Sequence, residues 1–567
     1  MYTTRIKTIY LTAGLAMAVL AGCTPSKYAS QADRDAGRTL DHAERFALGE
    51  PRKFQVAYRP FRAEPDRPED LVVAGKVLPL RGEKLVKLAL VEALQIAFRN
   101  SREFQTQKEE LYSAALALAS SRRGWDFPLL GGEVVGSAER SVVNGGPETN
   151  SAALSPAAVL TQNLVNGGVL TLGMGMDLVS DLLGWRSTTV GSLFNANFTQ
   201  PLLQGAWRGL AYEAQYRTER DFVFSVLDYE RFTQSFAVTI LTRYYSVLSQ
   251  RDQLENERSN IARLEQTFSL TKTLVKGGVR SPIEQDQAEQ NLIDAQVRFQ
   301  QNLQQYRDSL DRFKLTLGLP LAARMELEYP EGLEELNKIG PKPMPLAESD
   351  AVAVAMVTRP DVLRQAAGLR DADRDVEIAT DAFLPVLNVT LGISAASRAP
   401  RNYTDVQFNR HTRGAGVAFD YPLDQTANRD AYRNAMFARD KARRDYEEFL
   451  DQLRLDIRQS YRALEQSRVS YELELRNMEI NKRRRKLAVL EQKGGQASAR
   501  DVLEAEDALR RAQNGVTSAL VSYTTTRLQF MTTLGLLDVD EKGQLHERAK
   551  PLKFDRLGQR YPYIARP

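Results

Sequence analysis

The 567-residue chain has a single cysteine, Cys23, and three histidines that lie far apart. One cysteine excludes an internal disulfide, and no local spacing of His, Cys, Asp and Glu builds a metal site. No uninterrupted apolar run approaches the roughly 20 residues that a membrane-spanning helix needs. Nor does one sign of charge dominate. Lys+Arg number 76 against 72 Asp+Glu, a net of +4, which is too balanced for a nucleic-acid binder. A nucleophile–base pair and a Gly-rich phosphate loop are missing too, so no catalytic residue, cofactor or metal is assigned and an enzyme is disfavoured. What is there, 43% apolar and 26% charged residues, suits a folded protein.

The chain is also internally duplicated. Lys493–Leu536 repeats Lys276–Leu319 at a constant offset of 217, with sixteen identities over 44 positions. Unrelated sequences would give roughly three, so the repeat is a true duplication. Each copy opens with Lys-Gly-Gly, a turn at Gly277-Gly278 and at Gly494-Gly495, and then becomes helical. Val502, Ala505, Leu509, Ala512, Val516, Ala519 and Tyr523 are spaced alternately three and four apart. That is the seam of a left-handed coiled coil, with small residues that let a neighbouring helix come close. The first copy keeps it at Ala288, Leu292, Ala295, Phe299 and Tyr306.

At the N-terminus, Arg5 and Lys7 precede an apolar stretch from Ile9 to Leu20, the pattern of a secretory signal over residues 1–22. Its end, Leu20-Ala21-Gly22-Cys23, resembles a bacterial lipoprotein signal, which would make Cys23 the lipidated first residue. Residues 23–83 are polar and proline-bearing and read as an extended arm. A helix is expected from Lys84 to about Arg123, with a counterpart from about Asp350; each ends at a proline junction, Phe127-Pro128 and Leu384-Pro385.

Beyond the second junction, Leu387, Val389, Leu391 and Ile393 alternate with Asn388, Thr390, Gly392 and Ser394. Val417 and Phe419 alternate with Gly416 and Ala418 on the way back. Period-two patterning means strands with one apolar and one polar face. In the first half Phe194, Ala196 and Phe198 alternate with Asn195 and Asn197, and a weaker outgoing strand lies near Leu129–Ala138. That half holds 36 more residues between its strands, including a further candidate strand at Val169–Leu178. They either extend the strand wall or form an outer loop. Very long helices follow, about 205–275 and 427–492, which at 1.5 Å per residue reach on the order of 100 Å.

The domain plan is therefore a signal peptide (1–22), an arm (23–83), repeat 1 (84–319, strands about 129–200), a proline-bearing linker (320–349), repeat 2 (350–536, strands about 386–421) and a tail (537–567). Strand pairs that are apolar on one face and polar on the other suit a membrane barrel, whose closure removes exposed edges. Four to six strands per chain are too few for a water-filled barrel, so several chains must share one.

The order of elements, the duplication, the TQPLLQG segment ending in Gly205 and the KGG…DVLEAEDAL…LGL ending resemble the TolC-type outer membrane efflux proteins, over roughly Lys84 to Leu536. The resemblance implies an α+β membrane protein. In it a trimeric transmembrane β-barrel is continued by a periplasmic α-helical coiled-coil tube. It also implies a homotrimer in the outer membrane of a Gram-negative bacterium, a passive exit duct for an inner-membrane pump, docked through a periplasmic adaptor protein. Many members are lipoproteins, in agreement with Cys23. Asn195, Asn197, Asn388 and Thr390 are then expected on the lumen side of the barrel. The DVLE segment falls where the family places an acidic constriction, so Asp501 and Glu504 are candidate gate residues, with Glu284 at the equivalent place in repeat 1. A latching aromatic and arginine, frequent in relatives, are replaced here by Gln492 and Ala497, which leaves Arg500 as a candidate latch. The competing reading is a lipid-anchored, periplasm-spanning scaffold without a lumen, which has no need of the polar strand faces. The basic run Lys482–Lys486 is a solvated face or part of the adaptor dock.

Overall fold

The computed structural model describes residues 25–47, 71–73, 76–78, 86–126, 129–141, 149–181, 188–341, 343–397, 406–494, 496–540 and 545–547. Cys23, the signal segment and Gly495 lie outside them. Among the described residues no helix is long and apolar enough to cross a membrane.

The chain runs α1 (Pro25–Ala47), α2 (Leu90–Asn100) and α3 (Arg102–Asp126) into four strands. These are β1 (Leu129–Ser141), β2 (Thr149–Asn163), β3 (Val169–Asp181) and β4 (Thr188–Pro201). The long helix α4 (Glu213–Lys276) then leads through the first glycine turn to α5 (Pro282–Thr316). After the short α6 (Glu331–Ile339), the second repeat follows: α7 (Glu348–Thr358), α8 (Pro360–Asp381), β5 (Val386–Ala396), β6 (Thr412–Asp420), α9 (Thr426–Lys493) and α10 (Ala499–Thr533). With 64 and 68 residues, α4 and α9 are each about 100 Å long.

The two halves pack by the same rule. In the first, Phe236, Ile240, Tyr244 and Val247 of α4 meet Tyr306, Leu310, Phe313 and Leu317, with Ala93 and Ala97 of α2 completing the cluster. In the second, Leu453, Ile457 and Leu464 of α9 meet Tyr523, Phe530 and Leu534, with Ala351 and Ala355 of α7 in the place of Ala93 and Ala97. The coiled-coil seam is buried as its spacing requires: Val502 and Ala505 are fully inaccessible, as is Ala295 in the first copy. Gly318 and Gly535 end α5 and α10 with positive φ, 71° and 68°, a conformation that glycine adopts without penalty.

Four expectations need correction. The arm contains the 23-residue helix α1, whose Ala36, Leu40 and Ala43 pack on Leu111, Ala115 and Leu118 of α3 and on Phe222 and Val226 of α4. Only one narrow stripe of it is apolar, so its polar composition hid the helical period. Helix α2 begins at Leu90, not at Lys84, because Val86–Leu88 is a strand paired in parallel with Met325–Leu327 of the linker. The helix expected to run on to Arg123 is two helices, interrupted at Ser101, whose backbone is extended. The linker itself carries that short strand and α6, with Leu333 and Leu336 buried in the first-repeat core.

Candidate transport path and tip

All six strands form one antiparallel sheet in the order β6-β5-β4-β3-β2-β1. The 36 additional residues are wall, not loop: β2 and β3 are full-length strands between β1 and β4. Register fixes the faces, because residues directly opposite each other share a side. Asn197 faces Thr171 and Gly392, Thr199 faces Thr390, and Asn388 faces Ala418. Asn195, Asn197, Asn388 and Thr390 therefore lie on one face, with Thr171 and Ser394. Glycine stands opposite them where space is short. A Cβ on Gly173 would meet the Asn195 side chain at 2.1 Å, and one on Gly392 would meet Asn197 at 2.8 Å.

The other face is mainly apolar across the sheet, with Arg413 of β6 a charged exception opposite Ile393. It carries Leu130 and Val134 of β1, Leu160 of β2, Leu170, Leu172 and Met174 of β3, Phe194 and Phe198 of β4, Leu391 and Ile393 of β5, and Val417 and Phe419 of β6. Many of these are exposed in the single chain, Leu130 by 73% and Val417 by 71%. Large apolar side chains left open along a whole sheet face call for a non-aqueous neighbour.

At the far end of the long helices, Gly277 closes α4 and Gly278 takes φ 73°, while Gly494 closes α9. The two turns are tied together. Arg280 donates to the Ala497 carbonyl at 2.6 Å, and the Ala499 amide donates to Glu284 at 3.4 Å. Glu284 also lies 3.7 Å from Arg280. It therefore sits in this staple between the turns, at the first turn of α10.

Asp501 is the third residue of α10 and closes a capping box with Ser498, whose amide and hydroxyl both donate to it. Those two bonds hold its carboxyl below the usual carboxylate range. Glu504 pairs with Arg500 at 3.1 Å, one turn back on the same helix, and stands 3.9 Å from Arg484. Among the described residues Arg500 pairs with Glu504 of its own helix and with no acid of another helix. Glu504 and Arg500 line a polar groove of about 340 Å³ that also includes Gln287 and Asn291 of α5 and Asn260 of α4.

The cross-helix charges lie one step deeper, where sequence reasoning had not placed a site. Glu506 is 1% exposed and takes Arg263 of α4 at 2.6 Å and Arg485 of α9 at 2.7 Å. Glu257 of α4, fully buried, lies 3.4 Å from Arg298 of α5 and 3.5 Å from Arg510 of α10. Two carboxylates so tie all four tip helices together. Arg484 and Arg485 belong to the basic run of five, so that run is only partly a free surface. The visible signal was the Ala-Glu identity shared by the repeats, yet Glu289, the counterpart of Glu506, is exposed.

Comparison with known proteins agrees with this geometry. Residues 352–536 match the profile of the family described as outer membrane efflux protein. No curated protein matches the chain. Among solved structures, the Campylobacter jejuni CmeC outer membrane channel is 16% identical with a TM-score of 0.58, over 84% of this chain and 90% of that one. CusC is 13% identical with a TM-score of 0.58, over 84% and 98%. The open state of the Neisseria gonorrhoeae MtrE outer membrane channel is 15% identical with a TM-score of 0.58, over 84% and 97%. The second repeat thus carries the outer membrane efflux protein profile, and the chain has the fold of these outer membrane channels over most of its length.

Proposed function

We propose that three copies of this chain form a gated exit duct from the periplasm through the outer membrane, driven by an inner-membrane pump and docked through a periplasmic adaptor. The observation that carries this reading is the sheet. It has an apolar face for lipid, a face of Asn, Thr and Gly for water, and two open edges, and it stands on helices about 100 Å long. A scaffold has no use for the polar face. The duct does no chemistry of its own; it supplies a path and a gate. The gate is a ring of Asp501 and Glu504 near the tip, two carboxylates from each chain. Glu284 holds the turns beneath it.

Planar-bilayer recordings test path and gate together. The wild type conducts, prefers cations, and is blocked by multivalent cations added from the periplasmic side, because clustered carboxylates attract them. Asp501→Ala/Glu504→Ala loses at least several-fold of that block. Because the capping bonds keep Asp501 ionised below the usual carboxylate range, its share of the block persists when the bath is mildly acidified. A wild type without conductance removes the duct, and unchanged block in the double variant removes the ring.

The anchor is a lipid on Cys23. Mass spectrometry of the mature N-terminus should find it acylated, and Cys23→Ser should abolish both acylation and cleavage at that site. The barrel of the variant still inserts, since its apolar band is independent of the anchor. An unmodified Cys23 in the wild type would end this assignment.

A further inference from the structure

We infer that the barrel of this protein is built from eighteen strands, with β6 of each chain closing on β1 of the next; this rests on the trimeric duct proposed above. The inserted hairpin is what makes the difference. Two strands from each repeat would give four per chain and twelve per trimer, whereas the sheet has six in unbroken order.

Three observations make β2 and β3 staves of the wall. They pair along most of their length on both sides, β1 with β2 over 13 residue pairs and β3 with β4 over 12. Their faces follow the others: Leu160, Leu170, Leu172 and Met174 continue the apolar band, and Thr161, Thr171 and Gly173 continue the polar face. Their base is fixed to the helical part, since Gln162 donates to the Trp125 carbonyl and Asn163 to that of Gly124. The turn joining them, at Gly167 with φ 82°, has no room for a side chain, because a Cβ there would come within 2.5 Å of the Gly205 carbonyl.

The occupant of each open edge is a second copy. β1 leaves the helical part and β6 returns to it, so edge to edge they run antiparallel, as every other pair in the sheet does. Both edges display apolar side chains, Leu130 and Val134 on one and Val417 and Phe419 on the other. An uncovered edge of that kind is a liability that barrel closure removes. At a strand spacing of about 4.8 Å and a tilt of about 40°, eighteen strands give a barrel roughly 36 Å across between backbones, and twelve give roughly 24 Å. The wider barrel leaves a water-filled lumen and passes solutes too broad for the narrower one.

Electron cryomicroscopy of the full-length protein in lipid nanodiscs counts the staves. The expected result is a three-fold ring of eighteen, about 36 Å in diameter. A three-fold ring of twelve, with residues 149–181 outside the wall, overturns the inference and leaves the duct intact. Particles without a three-fold ring overturn both. Cysteine pairs test the edges: Val134→Cys is combined in turn with Ala415→Cys, Val417→Cys and Phe419→Cys, all on the apolar face. At least one pair should give covalent trimers on oxidation while the single variants give none. No product from any pairing overturns the β1–β6 closure.

Discussion

Replacing Glu506 with alanine is expected to destabilise the tip by about 2–4 kcal/mol, the cost of losing a buried carboxylate that anchors two charged, partly exposed partners. Glu506 is 1% exposed and holds two guanidinium groups, Arg263 from α4 and Arg485 from α9, at 2.6 and 2.7 Å. Its removal leaves Arg263 and Arg485, 19% and 34% exposed, without the one counter-ion they have among the described residues, and opens a gap beside Val502 and Ala505, which are fully buried. Glu506→Gln keeps the volume and one acceptor, so its loss is smaller. Glu257→Ala costs less as well, because its arginines stand off at 3.4 and 3.5 Å. Glu289→Ala, the same position in the first repeat, is exposed and near-neutral. Thermal unfolding of the purified protein, with protease sensitivity of the tip as a second reading, ranks the four. If Glu506→Ala melts with Glu289→Ala, the triad does not hold the tip.

Gly318→Ala is expected to be nearly as damaging, for a reason of shape. The residue has φ 71°, and a Cβ would lie 2.2 Å from the Asn100 carbonyl oxygen and 2.7 Å from its carbon. Both are backbone atoms of α2 and cannot swing aside. The left-handed conformation costs alanine about 1 kcal/mol, and overpacking of this kind adds about 1–3 kcal/mol. Two glycines serve as controls. Gly278→Ala has φ 73° with open space around it and should lose only about 1 kcal/mol. Gly535→Ala repeats Gly318 in the second half, but its nearest neighbour is Thr358 at 3.4 Å, so it falls between the two. The reading is folded protein recovered from the outer membrane, together with its melting temperature. Equal recovery of Gly318→Ala and Gly278→Ala would show that α2 yields to the side chain.

The close contact at Gly318 also shows how far the sequence reaches. The closing Leu-Gly-Leu of each repeat is visible as an identity, and a glycine at the end of a helix reads as a left-handed cap. That the same glycine admits the backbone of α2 is visible only once α2 has been placed, more than two hundred residues upstream. The seam from Val502 to Tyr523 was legible because coiled-coil packing follows a period written along one helix. The strand faces were legible for the same reason, since period two assigns Asn195, Asn197, Asn388 and Thr390 to one side before any partner is known.

Charge was the harder quantity to read. Asp501, Glu504 and Glu284 look alike in the sequence, all acids within the first turns of a helix. The structure gives them three different tasks: a helix cap, a partner for Arg500 and Arg484, and a staple between the turns. Glu506, the most deeply buried of the α10 acids, carries no mark to separate it from Glu289, because the difference lies in the helices that approach it.

The duplication, the long helices, the coiled-coil seam and the two-faced strands are written along the chain, because each is a periodicity carried within a single segment. The packing of α1 on α3 and α4, the place of the 36 additional residues as two staves in the wall, and the burial of particular carboxylates emerge only in the folded chain. Those outcomes depend on contacts between segments far apart in the chain, and no local period records them.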